Sequence, residues 1–193
     1  MSLHELLLRN RTFRKFRQTP LRDEDLMAIM EDVRLAHCAN NLQLLRYAIV
    51  TGPGKRKEIE PIIHFAAKLP PEIGEPKEGE KPMAYIIIEK PSAPDHHSDI
   101  DVGIASEIIT ESAMERGIGS CIMMNFNVTK MNEILSLPSD MTCSIVIALG
   151  YPSHTSEVTD LEGEDTVYHV NTEDYSYTVP KRSVDDLIKV FHI

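Results

Sequence analysis

Apolar positions recur at helical spacing in several stretches of the chain and run continuously in others. Leu3, Leu6 and Leu7 predict a short helix over residues 2–9. From Asp23 to Ala36, Leu26, Ile29, Met30 and Val33 fall on one face, Pro20 precedes the segment, and acidic residues fill its first turn, so a second helix is expected there. Arg46–Thr51 reads as a strand stopped by Gly52-Pro53-Gly54. Residues 55–69, with Ile59, Ile62, Ile63 and Ala66 directed inward, are expected to be helical, and the Pro-, Gly- and Glu-rich piece Pro70–Pro82 to be a surface loop. Met83–Ile88 is a continuous apolar run, the pattern of a strand buried on both faces.

The polar segment Ser92–Ser98 reads as a loop. Its adjacent His96 and His97 point apart on any regular element, which suits solvated side chains better than a metal pair. The strongest helical pattern is Asp101–Arg116, with Val102, Ala105, Ile108, Ile109, Ser112 and Ala113 on one face and Gly117 and Gly119 ending it. Ser120–Met124 follows as an inner strand. Asn127 caps a short helix bearing Met131, Ile134 and Leu135, and Cys143–Leu149 is the last core strand, closed by Gly150-Tyr151-Pro152.

The tail differs in character. Residues 153–166 are polar and acidic, and Val167–Val170 and Tyr175–Val179 flank Asn171–Asp174 as an exposed hairpin or extended arm spanning 153–183. Ser183 is placed to cap a final helix, Val184–Lys189. At least four buried-looking strands and five helices predict a sheet layered with helices, in an order that does not alternate strictly enough for a doubly wound parallel sheet. Neither side of residues 70–82 has enough residues for its own core, so 1–193 reads as a single domain.

Charge changes this picture at one place. The chain carries a formal net charge of -10, which excludes a general nucleic-acid binder, because affinity for a phosphate backbone needs many cations. Yet Arg9, Arg11, Arg14, Lys15 and Arg17 put five cations in nine positions, with Thr12 among them. Concentrated cations in an acidic chain suggest a bound anion, here a phosphate, and guanidinium groups chelate phosphate oxygens with paired bonds. A solvated face paired with acidic neighbours, or a docking surface for an acidic protein, are the competing readings. A smaller basic cluster, Lys181-Arg182-Ser183, stands near the other end. His37–Gln43, with Asn40 and Asn41 adjacent, is either a helix cap and loop or a loop whose amides face a ligand.

Cys38, Cys121 and Cys143 lack CxxC spacing, so neither a disulfide framework nor a zinc site is expected; they read as reduced thiols of a cytoplasmic protein. The first eight residues are too short and polar for a secretory h-region, and no apolar run approaches the roughly twenty residues that span a bilayer. GxSxG, GxGxxG and GxxxxGK[ST] are absent, and Cys38 beside His37 is no dyad by adjacency alone. Any enzyme here takes its chemistry from a cofactor, and a phosphate-anchored organic one fits the basic stretch.

Several landmarks in register resemble the FMN-dependent nitroreductases. Asn10-Arg11-Thr12-Phe13-Arg14-Lys15-Phe16 is similar to that family's Arg-Arg-Ser-x-Arg-x-Phe motif, and Ala36–Gln43 to its Ala-Pro-Ser-Ala-Gly-Asn-x-Gln loop. Asp101-Val102-Gly103, Gly117-Ile118-Gly119-Ser120-Cys121, Ala148-Leu149-Gly150-Tyr151-Pro152 and Lys181-Arg182-Ser183-Val184 match further pieces. The resemblance implies an α+β fold with a central mostly antiparallel sheet flanked by helices in a three-layer α/β/α sandwich, assembled as a homodimer with FMN at the subunit interface. It implies that Arg11, Thr12 and Arg14 hold the phosphate, with Lys181 or Arg182 closing on it, which leaves Phe13 and Phe16 to face the core and Arg9, Lys15 and Arg17 to be solvated. Cys38, Ala39 and Asn41 would approach the flavin from the partner subunit, and Met123-Met124-Asn125 would lie beside its ring. NADH or NADPH would be the reductant, and a nitro compound, quinone or other conjugated small molecule the acceptor; a flavin-binding protein with little turnover is the alternative. Asn10 departs from the motif, as do His37, Cys38, Asn40 and Leu44-Leu45.

Overall fold

The computed structural model describes residues 1–66 and 68–189. The chain divides into two compact units, Met1–Ser153 and His154–Ile193.

In the first unit the elements in order are α1 (Leu3–Arg9), α2 (Asp23–Arg34), β1 (Arg46–Val50), α3 (Pro53–Ile59), α4 (Pro71–Gly74), β2 (Ala84–Pro91), α5 (His96–Glu115), β3 (Gly119–Met123), α6 (Val128–Leu135) and β4 (Met141–Gly150). The four strands form one sheet in the order β1-β2-β4-β3, every neighbour antiparallel. Side chains alternate across the pleat, so the continuous apolar runs of β2 and β4 feed two cores. Ala84, Ile86, Ile88, Ile147 and Leu149 pack with Leu26, Ile29 and Val33 of α2 and Val102, Ala105 and Ile109 of α5. Tyr85, Ile87, Val146, Ala148, Cys121 and Met123 pack on the other side with Ile59, Ile63, Phe65 and Met131. Helix, sheet and helix are therefore three layers of an α+β fold, as expected.

Two predicted boundaries move. The helix expected over 55–69 stops at Ile59; one 3-10 turn, Glu60–Ile62, follows, and Ile63 is extended and bridges to Phe126. Pro61 explains the break, since it has no N–H to donate to the preceding turn. Position 67 of that stretch lies outside the described residues. The segment expected as a polar loop over 92–98 already contains the start of α5. The Asp95 carboxylate accepts the N–H groups of His97 and Ser98 at 3.3 and 3.0 Å, starting the helix at His96. His96 and His97 are exposed, as read from their adjacency.

In the second unit, β5 (Ser156–Asp160) runs parallel to β7 (Tyr177–Lys181), and β6 (His169–Val170) pairs antiparallel with β7. The hairpin around 171–174 is present, closed by the Asn171 N–H on the Ser176 carbonyl at 2.9 Å. A strand, β5, lies within the stretch that reads only as polar. Tyr177 is buried against the rings of His154 and Tyr168. Ser183 caps α7 (Val184–Leu187), which ends before Lys189 because Ile188 is extended.

Candidate functional site

Arg9 ends α1, and from Asn10 onward the basic stretch is not helical, so Arg11 and Arg14 do not meet as neighbours on a helix. Thr12 bridges in parallel to Ser120 of β3, and the Phe13 N–H donates to the Ser120 carbonyl at 2.8 Å. Downstream, Phe16 and Arg17 donate to the carbonyls of Glu80 and Tyr151, both at 2.8 Å. The segment thus runs along β3, an outer strand of the sheet, and past the exit of β4.

Two glycines make room for it. A Cβ at Gly119 would lie 2.7 Å from Cδ2 of Phe13, and one at Gly150 would lie 2.8 Å from Cδ1 of Phe16. Gly119 and Gly150 are register partners across β3 and β4. The glycine landmarks therefore seat the two Phe rings, which are buried as expected. Lys15, expected to be solvated, is buried at 2% exposure with its ammonium 3.2 Å from Glu80. Burial raises the Glu80 carboxyl, but its bond from the Lys77 amide and the Lys15 ammonium outweigh burial and hold it below its ordinary value.

Arg11 is the candidate anion ligand with the clearest signature. Its Nη2 donates to the Leu7 carbonyl at 2.5 Å, while Nε is buried without a hydrogen-bond partner among the described residues. Burial lowers its pKa and the carboxylate of Glu107 partly offsets this, but Arg11 forms no ion pair among the described residues. Thr12 is exposed and Arg14 buried. The charge of Arg14 acts on the thiol of Cys121, which burial pushes up to about 11 against that charge. Asn10 serves packing: its Nδ2 donates to Thr110 Oγ1 of α5 at 3.0 Å.

At the end of β3, Met123 is buried, Met124 is 77% exposed and Asn125 is exposed. The Asn125 carbonyl accepts the His64 N–H at 3.0 Å, and the Ile62 carbonyl accepts the Asn127 N–H at 2.9 Å. The segment 62–65 beside this stretch is absent from the residues that sequence reasoning selects. The sequence carries part of the signal, because Pro61 can break the helix and apolar Ile63 and Phe65 then alternate with polar His64. Glu75 completes this edge: its Oε1 accepts the Phe65 N–H at 3.1 Å and lies 3.8 Å from His64 Nδ1.

Cys38, Ala39 and Asn41 stand on a separate loop. Asn40, Asn41 and Gln43 adopt left-handed backbone with φ of 50°, 54° and 51°, the conformation that paired Asn residues tolerate. The Ala39 N–H donates to Asp101 Oδ1 at 2.9 Å, and Asp101 is 3% exposed at the start of α5. Next to it is a cleft of about 280 Å³ whose walls include Val33, Cys38, Leu45, Tyr47 and Asp101. Burial pushes the Tyr47 hydroxyl up to about 12. Asp101 and Thr110 are nine positions apart, so α5 separates the loop's anchor from that of Asn10 by about 13 Å. Leu35, Leu42 and Ile100 lie exposed at the loop end.

Within the first unit the fold thus brings Arg11, Thr12 and Arg14 to the same edge as Met123, Met124 and Asn125, and sets Cys38, Ala39 and Asn41 apart from them. Lys181 and Arg182 belong to the second unit, at the end of β7, where Arg182 Nη2 lies 3.1 Å from Glu164 Oε2. Among the described residues no group of His, Cys, Asp and Glu could hold a metal ion, and no helix is long and apolar enough to cross a membrane.

The family model described as the nitroreductase family matches residues 7–151. Comparison with curated proteins gave no match. Solved structures share the fold: a nitroreductase family protein from Clostridium novyi NT is 20% identical with a TM-score of 0.68, over 93% of this chain and 95% of that one. An FMN-dependent nitroreductase from Clostridium difficile R20291 is 19% identical, with a TM-score of 0.65 over 84% of this chain and 92% of its own. Nitroreductase A from Vibrio parahaemolyticus is 19% identical, with a TM-score of 0.65 over 89% and 79% of the two chains.

Proposed function

Because this chain belongs to the nitroreductase family, we propose that it is an FMN-dependent oxidoreductase using NADH or NADPH to reduce a nitroaromatic, quinone or similar conjugated acceptor. The observation that carries the reading is Arg11: a half-buried guanidinium whose Nε is orphaned and which has no carboxylate in ion-pair contact among the described residues fits a phosphate. Buried donors are rarely left unpaired, and a phosphate carries the acceptor oxygens and the charge that this one lacks.

Arg11, the Thr12 hydroxyl and Arg14 would hold the phosphate of FMN. Met123, Met124 and Asn125 would lie beside the ring. FMN, when bound, supplies hydride acceptance and electron delivery at its N5. The chain's own contribution is placement. The Thr12–Ser120 bridge fixes the cations along β3, and pairing of His64 with Asn125 holds the Met124 turn against the same edge. We further propose a homodimer in which Cys38, Ala39 and Asn41 approach the ring from the second subunit; the exposed Leu35, Leu42 and Ile100 at that end support a covered surface. In this reading 1–193 is one flavin-binding domain with 153–183 as an arm, and its free thiols suit the cytoplasm.

The test is optical. The purified protein is expected to be yellow, or to become so with added FMN, and to bleach on anaerobic mixing with NADH or NADPH. A protein that stays colourless in excess FMN would overturn the proposal. One observation favours a second reading, a flavin binder with little turnover: Asn10, where the family carries Arg, is committed to Thr110, leaving the phosphate one cation fewer. A yellow protein that neither nicotinamide bleaches would establish it.

A further inference from the structure

We propose that a second cleft, beneath Tyr85, is a binding site for a small planar carboxamide. Tyr85 on β2 is 0% exposed, and its hydroxyl has no hydrogen-bond partner among the described residues. It lines a cleft of about 260 Å³ together with Glu60, Ile63, Phe65, Glu75 and Lys81. Three proline rings, Pro61, Pro76 and Pro82, complete the wall. Ile63 and Phe65 are the buried members of their extended segment; His64 between them is exposed and takes no part in the wall.

The chemistry of the walls selects the ligand. Burial raises the Tyr85 phenol well above its ordinary value; Glu60 adds to this and Arg56 opposes it. The hydroxyl therefore keeps its proton at neutral pH and offers a donor, which calls for a carbonyl acceptor. Glu75 uses Oε1 on the Phe65 N–H, leaving Oε2 to accept from a ligand N–H. Lys81 is occupied at the rim, 2.8 Å from Glu60 and 3.4 Å from Glu78, so no unpaired cation awaits an anion. Flat proline and Phe walls suit a ring, and the volume is just under that of drug-sized sites, which limits the guest to one ring. A carbonyl for Tyr85, an amide N–H for Glu75 and an uncharged ring together describe an aromatic carboxamide.

Benzamide is the probe, titrated into the full-length protein by calorimetry, with benzoate as the anionic control. Benzamide is expected to bind in the millimolar range and benzoate at least fivefold more weakly. Tyr85→Phe should weaken benzamide about fivefold to tenfold, the effect of one hydrogen bond, without lowering the melting temperature of the free protein. Should that variant misfold, Lys81→Trp at the partly exposed rim tests the same cleft by closing its mouth, and benzamide binding is expected to be lost. Equal binding of benzoate, or wild-type affinity in either variant, overturns the proposal. So do benzamide-soaked crystals in which the Tyr85 hydroxyl bonds only to ordered water.

Discussion

Gly150 leaves the space that the Phe16 ring fills: a Cβ there would sit 2.8 Å from Cδ1 and 2.9 Å from Cβ of that ring. Phe16 is 1% exposed, and its backbone is fixed by the bond to Glu80 and the bridge to Pro152, so the ring has little freedom to retreat. Gly150→Ala should destabilise the fold by about 1–3 kcal/mol, as overpacking does. Urea unfolding would measure it, and a midpoint equal to wild type would contradict the packing account.

Removing the two guanidinium groups tests the anion site. Arg11→Ala combined with Arg14→Ala should weaken FMN retention by about 10-fold to 100-fold, the loss of charge-assisted hydrogen bonds. Flavin absorbance per protein after gel filtration gives the result. Unchanged flavin content would remove Arg11 and Arg14 from the phosphate assignment.

Asn10 should behave differently from its neighbour. Its amide donates to Thr110, so Asn10→Ala should cost about 1 kcal/mol of stability while leaving flavin content intact. Measuring both quantities on one preparation separates packing from binding. Loss of flavin without loss of stability would place Asn10 in the site instead.

Asp101 holds the loop that carries Cys38. Without its carboxylate the Ala39 N–H loses its partner, and Asp101→Ala should speed modification of Cys38 by a thiol reagent several-fold. Asp101→Asn retains an acceptor oxygen and should react near the wild-type rate. Cys121 and Cys143 are buried, so the fast phase reports Cys38. Identical rates in all three proteins would show that the bond does not order the loop.

Alkaline stability should carry the mark of Cys121. Burial raises its folded pKa from 9.0 to about 11, partly opposed by Arg14. A group raised in this way favours folding below its unfolded pKa, and that contribution is lost as pH rises through the folded value. Stability should therefore fall between pH 9 and 11 by an amount on the order of 2–3 kcal/mol, and Cys121→Ala should flatten that fall. Parallel pH curves for the two proteins would refute the assignment.

Much of the fold was legible because β2 and β4 are apolar on both faces and α2 carries a clean stripe; those patterns have one stable solution, a sheet covered on both sides. The candidate anion site was legible as charge standing out from an acidic background. Lys15 was misread because its burial depends on Glu80, sixty-five positions away, and periodicity carries no information about such pairs. Likewise, the start of α5 depends on the Asp95 cap, which the helical pattern of Asp101–Arg116 does not reach. The 62–65 segment pairs with residues 125–127, a nonlocal contact that overrode the apolar spacing of a helix.

The Thr12–Ser120 bridge also guards the protein against itself. β3 is an outer strand, and an outer strand left bare offers its N–H and C=O groups to any other chain. The basic stretch occupies part of that edge, so the Ser120 groups it pairs with are closed to a second copy. The residues proposed to retain a cofactor thus also discourage edge-to-edge aggregation, and a chain shortened at its start would lose both protections at once.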